Sequence, residues 1–277
     1  MTASRVKKDI NRDRLLQLLR DMVDIYSPSG KEEEVIMYVA EHLRTCGLPV
    51  TMQPVDDLGS NLLVLPENTE GADLCFVGHV DTVAAYDLDN YGFEMEDGTV
   101  HGLGVVDMKS GCAAMIEALT VLYESGGPVP PVALALVVDE EEDNSGARAL
   151  VGEHHFPWAI VGEPTALAPC LGHYGYLEVF LRARGKRAHS AVPEVGHNAI
   201  EAMLKLLLRI TDFCTTDGTR LVYNIRELSA LPSGFVVPDL CEAWLDFHVP
   251  PDMRVDSLKA GLERLVAGSM KERPDLD

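Results

Sequence analysis

Residues 130–164, PPVALALVVDEEEDNSGARALVGEHHFPWAIVGEP, read as strand, short helix, strand. PPVALALVV at 130–138 is an unbroken apolar run, the mark of a strand covered on both faces. NSGARALVGEH at 144–154 follows as a short helix, and WAIVGEP at 158–164 as a second buried strand. A helix between two such strands predicts a parallel pair.

Upstream, KSGCAAMIEALTVLYESG at 109–126 reads as a helix with Cys112, Met115, Ile116, Leu119 and Leu122 on one face. The runs LPVTMQPV, NLLVLP and ADLCFVG are strand-like, and EDGTV at 96–100 suits a hairpin turn. Ile10, Leu15, Leu18, Leu19, Met22 and Val23 recur at helical spacing until SPSG at 27–30 stops the pattern. Ser29 with Glu32 three residues on has the form of a capping box opening a second helix, which Gly47 closes. The expected fold is α/β, a mostly parallel sheet flanked by helices.

From about Leu171 the rhythm changes. YGYLEVFLRARG alternates like a half-exposed strand, HNAIEAMLKLLLRITDF is amphipathic, TRLVYNIREL and CEAWLDFHV are strand-like, and DSLKAGLERLVAGSM is helical. That β-α-β-β-α order suggests a small α+β open-faced sandwich without its last strand. The expected domains are therefore 1–171 and 172–277.

A chain of 277 residues with 47% apolar and 24% charged residues can bury a sizeable core. Its net charge of −21 excludes nucleic acid and anionic membrane surfaces as partners, because phosphate binding needs clustered Lys and Arg. No run approaches a membrane span, and the charged N-terminus lacks the apolar centre of a secretory signal. Six scattered cysteines without a CxxC pair fit free thiols in a reducing cytoplasm.

Four polar positions each follow an apolar run, where the carboxyl end of a strand is expected and where open α/β sheets bind ligands. His79 closes LCFVGH, and a neutral imidazole is a good zinc ligand; Asp81, two residues on, can take the other ring proton and fix the tautomer. Asp107 ends HGLGVVD just before a helix, whose dipole favours the ionised form, and its two oxygens can bridge two cations. In DEEED at 139–143 consecutive residues point to different sides, so one glutamate can bind metal while its neighbour faces water to be deprotonated. Glu163 lies in AIVGEPT, where Pro164 ends the strand. Taken singly, each also fits an ordinary strand end, helix start or solvated loop.

The segments GHVDTV, GLGVVDMKSG, DEEEDNSG, VGEPT and RAHSAVPEVGHNAIEA together resemble the dinuclear zinc amidohydrolases that include acetylornithine deacetylase, succinyl-diaminopimelate desuccinylase, aminoacylase and glutamate carboxypeptidase. The resemblance implies a zinc-exopeptidase-like catalytic domain with an inserted lid that dimerises. It implies that His79, Asp107 and Glu163 hold one zinc and that Asp107 bridges to a second held by Glu141. Cobalt or manganese could replace zinc. Asp81 would orient His79, Glu140 would be the general base, and His189 of the AHS motif would reach the partner subunit's site. The implied reaction is hydrolysis of an amide in an N-acyl amino acid or related small substrate, with a dipeptidase or carboxypeptidase as the alternative.

The pattern also departs from the family. The resemblance implies a returning catalytic segment with a last metal-ligating histidine, yet after Glu163 the sequence holds only His173, His189, His197 and His248. His248 stands where the family usually has an arginine, Phe235 where it has an asparagine, and Leu103 where it has the arginine of GRG. A truncated or degenerate member that dimerises without catalysis is the reading from a different class.

Overall fold

The computed structural model describes residues 9–66, 72–125, 131–215, 221–231 and 234–272. The chain divides into two compact units, Met1–Ala168 and Pro169–Asp277.

In the first unit, helices α1 (Arg12–Asp24) and α2 (Glu33–Thr45) precede strands β1 (Val50–Pro54), β2 (Ser60–Val64) and β3 (Leu74–His79). A hairpin of β4 (Glu94–Glu96) and β5 (Thr99–His101) follows, then α3 (Ser110–Glu124), β6 (Val132–Val137), α4 (Ser145–Glu153) and β7 (Trp158–Val161). The hairpin turns on Asp97 and Gly98, both at positive φ, the conformation a two-residue primed turn requires. The main sheet has the order β1-β2-β6-β3-β7. β3 runs parallel to both β6 and β7, while β1 and β2 join as an antiparallel hairpin at the other edge. The fold is thus mixed α/β with a parallel centre, and that centre brings the carboxyl ends of β3, β6 and β7 to one edge.

Side chains of β6 alternate across the sheet. Leu134 and Leu136 pack with residues of α1, α2 and α3 such as Met22, Val39 and Ile116, while Ala133 and Ala135 pack with Leu150 of α4. Small residues on the second face let α4 lie close.

Three local readings need correction. WAIV is not a buried strand: β7 is the edge of the sheet, and Trp158, Ile160 and Val161 are 74, 52 and 54% exposed, uncovered by any described residue. Ile10, counted in the first helical pattern, precedes α1, and it and Leu122, counted on the apolar face of α3, are 51 and 37% exposed. Ser29 and Glu32 do not form a capping box, because α2 starts one residue after Glu32 and Glu32 makes no cap bond. Both side chains are engaged elsewhere.

In the second unit, β8 (Gly175–Arg184), α5 (Ala199–Cys214), β9 (Val222–Ser229), β10 (Leu240–Val249) and α6 (Val255–Glu272) form an antiparallel sheet of order β8-β10-β9 with both helices packed on it. Asn198 caps α5, accepting from the N–H groups of Ile200 and Glu201. Phe247, Leu245 and Ala243 of β10 face the core, while Trp244 lies against Phe180 on the opposite face.

Candidate metal centre

His79 is the last residue of β3 and is 1% exposed. Its Nδ1 lies 3.0 Å from the main-chain oxygen of Asp81 and 3.4 Å from that residue's carboxylate. Asp81 therefore takes the Nδ1 proton, chiefly through its backbone, and leaves Nε2 bare for a metal. The Asp81 carboxylate instead ties loops together: its Oδ2 accepts from the Ser29 hydroxyl and the Glu141 N–H, both at 2.9 Å.

Around Nε2 stand Asp107 Oδ1 at 3.1 Å, Glu163 Oε1 at 3.6 Å and Glu140 Oε2 at 3.7 Å. Ligand atoms of His79, Asp107 and Glu163 all lie within 4.8 Å of one another. Zinc bonds of 2.0–2.2 Å imply that tetrahedral ligands sit roughly 3.4 Å apart. The distances from His79 to Asp107 and Glu163 fit that edge length, so this donor set suits a cation of that size. Among the described residues no Lys or Arg forms a salt bridge with Asp107, Glu140, Glu141 or Glu163; the basic group that Asp107, Glu140 and Glu163 face is His79. Glu141 lies outside the three-residue group.

Local folding aims each side chain. Asp107 sits in a non-helical turn between Gly104, at φ +74°, and α3, and its bond to Met108 is cis. The next residue, Lys109, is 1% exposed, and its ammonium donates to the main-chain oxygens of Met22 (2.8 Å) and Ile25 (3.0 Å) at the end of α1. Met108 packs against His79, its sulfur accepting from the His79 main-chain N–H at 3.3 Å. Glu163 follows Gly162, which lies so close to Gly111 that a Cβ on Gly111 would fall 2.2 Å from the Gly162 oxygen. Neither Lys109 nor the glycine pair was singled out from the sequence. A lysine opening an apolar helix was the available signal.

Electrostatics follow from this crowding. Burial works against an imidazolium at His79, but Asp81, Glu140 and Glu163 outweigh it and lift the group to about 9. Burial, with the charges of Asp107 and Glu140, pushes Glu163 up to about 7. Glu140 is raised by burial and by Asp81 and Asp107, and Glu141 by burial and Asp107. Burial disfavours the Asp81 anion, yet His79 and the N–H groups of Glu141 and Glu140 hold it below the usual range. Metal-free, the cluster therefore holds protons that a cation would replace.

His189 belongs to the second unit, where it is exposed on a loop bridged to Val236. Its Nδ1 accepts from the Ala191 N–H at 3.1 Å, so the neutral ring carries its proton on Nε2 and presents a donor.

Residues 75–264 match the family model described as peptidase family M20/M25/M40. The chain is 34% identical over 303 residues to a protein of Aspergillus terreus named "Probable carboxypeptidase", covering 99% of this chain and 70% of that one. It is 36% identical over 232 residues to the acetylornithine deacetylase of Proteus mirabilis, covering 78% of this chain and 59% of the relative. Such relatives are spanned over 51 to 70% of their own lengths. Among solved structures, the aminopeptidase PepT of Bacillus cereus superposes with a TM-score of 0.72 at 22% identity, over 97% of this chain and 75% of that one, a likeness of fold. No helix among the described residues is long and apolar enough to cross a membrane. A family match over most of the chain, together with these relatives, shows that the chain belongs to peptidase family M20/M25/M40, a family of metal-dependent hydrolases.

Proposed function

We propose that this chain hydrolyses the amide bond of an N-acyl amino acid or a related small substrate, as a zinc-loaded cytoplasmic homodimer. The observation that carries the reading is the convergence of Asp107, Glu163 and Glu140 on Nε2 of His79. We assign His79, Asp107 and Glu163 to the cation and Glu140 to proton transfer.

His79, Asp107 and Glu163 would hold one zinc, with Asp107 shared towards a second ion beside Glu141. When bound, zinc supplies the Lewis acidity that polarises the scissile carbonyl and makes water acidic enough to attack. Glu140 takes the proton of the attacking water and passes it to the leaving nitrogen. Asp81 keeps the His79 ring in its binding tautomer. Residues 172–277 act as the lid and dimerisation domain, and His189 of the partner subunit donates through Nε2 to the developing oxyanion.

A carboxypeptidase or dipeptidase is the second reading, favoured by the name of the Aspergillus terreus relative. A panel of N-acyl amino acids and dipeptides, assayed with added zinc, separates the two. Glu140→Gln should keep the metal and lose turnover by about 100-fold or more. Unchanged hydrolysis by a metal-loaded Glu140→Gln variant would rule out the base, and an inactive, zinc-free wild type would favour the non-catalytic alternative.

A further inference from the structure

We propose that Glu32 is a positioning residue that sets the acidic loop at the end of β6, and through it Glu140; this inference rests on the proposed hydrolytic reading. Glu32 is 1% exposed, a depth that a free glutamate rarely occupies. Its Oε1 accepts the N–H of Asp139 at 3.0 Å, across 107 residues of sequence. Asp139 has a φ of +60°, a conformation that L side chains seldom adopt, so this backbone needs fixing from outside.

The fixing comes in steps. Asn61 Oδ1 takes the N–H of Val138 at 3.2 Å, Glu32 takes that of Asp139, and Asp81 Oδ2 takes that of Glu141 at 2.9 Å. Glu140 is bracketed by the last two. Ser29, three residues before Glu32, donates its hydroxyl to Asp81. Nearby, Ser27 donates to the Val80 oxygen at 2.8 Å and accepts from Thr82 at 3.0 Å. Residues 27–32 thus splice the His79 loop to the Glu140 loop.

Reach, rather than charge, is the property this role needs. The second carboxylate oxygen of Glu32 is buried without a hydrogen-bond partner among the described residues. Burial, helped by the nearby Asp81 charge, raises the Glu32 carboxyl and outweighs the N–H groups of Gly30, Glu32 and Asp139, which favour the anion. An amide of the same length keeps the acceptor, whereas a carboxylate one methylene shorter withdraws it.

The test is the pair Glu32→Gln and Glu32→Asp in the full chain. Single-residue amide hydrogen exchange is read at Asp139 in the metal-free protein, and kcat and KM in the zinc-loaded one. Loss of one buried hydrogen bond should make Asp139 exchange about tenfold faster in Glu32→Asp. A misplaced base should lower its kcat by about 10- to 100-fold, with KM unchanged. Glu32→Gln should stay within about threefold of wild type on both counts. Normal Asp139 exchange in Glu32→Asp overturns the proposal, and so does a Gln variant as impaired as the Asp variant. If the wild type hydrolyses nothing on the panel, the hydrolytic reading falls, while the exchange measurement still decides whether Glu32 holds the loop.

Discussion

Gly111→Ala is the sharpest probe of the metal centre, because it adds one methyl group and touches no ligand. The new Cβ would lie 2.2 Å from the Gly162 oxygen and 3.0 Å from its carbon, both backbone atoms that cannot rotate away. Ordinary contact begins near 3.4 Å, so α3 and the end of β7 must separate by about 1.2 Å. Overpacking of this kind costs about 1–3 kcal/mol. Glu163 is the next residue after Gly162 and moves with it. A metal site tolerates errors of about 0.2 Å in its bonds, so the shift should remove Glu163 as a ligand. Zinc affinity, measured by competition with a chromophoric chelator, should fall by about 100-fold or more, and the thermal midpoint should drop by several degrees. Gly152→Ala on α4 is the control: nothing lies within 4 Å of its added Cβ, and alanine favours the helix. Wild-type zinc affinity and midpoint in Gly111→Ala would refute the claim that the glycine contact places Glu163.

Lys109→Met should lower unfolding stability by about 2–4 kcal/mol, because the Met22 and Ile25 carbonyls at the end of α1 lose their donor; an unshifted urea midpoint would count against that anchor. His189→Ala should reduce turnover by about 100-fold while zinc content stays at the wild-type level, and a parallel loss of zinc would contradict a role at the oxyanion. The metal-free chain should lose stability as pH rises. His79 and Glu163 bind protons more tightly folded than unfolded, so their contribution is complete at low pH and is lost as pH climbs through about 7 for Glu163 and about 9 for His79. Saturating zinc should flatten that fall. A metal-free thermal midpoint that is constant or rising between about pH 5 and 9 would be the wrong sign.

Much of the centre was legible because it follows from periodicity. LCFVGH and VALALVV are apolar runs ending in polar residues, and parallel pairing of β3 with β6 and β7 obliges those ends to share an edge. His79, the acidic run after β6 and Glu163 are brought together on that logic, whereas the choice of Glu140 within the run came from the resemblance. What stayed hidden depends on neighbours far away in sequence. Ser-x-x-Glu at 29–32 is locally indistinguishable from a capping box, and only the tertiary fold diverts Ser29 to Asp81 and Glu32 to Asp139. The exposure of Trp158 and Ile160 likewise depends on what lies across β7, which an apolar run cannot encode.

The clasp between Lys109 and the oxygens of Met22 and Ile25 makes the first helix answerable to events around Asp107. Linkage is reciprocal, so an ion that steadies the Asp107 turn must steady the end of α1 as well, and fraying of that helix must loosen the grip on the ion. The opening turns of the chain are thereby a gauge of whether the cation is in place.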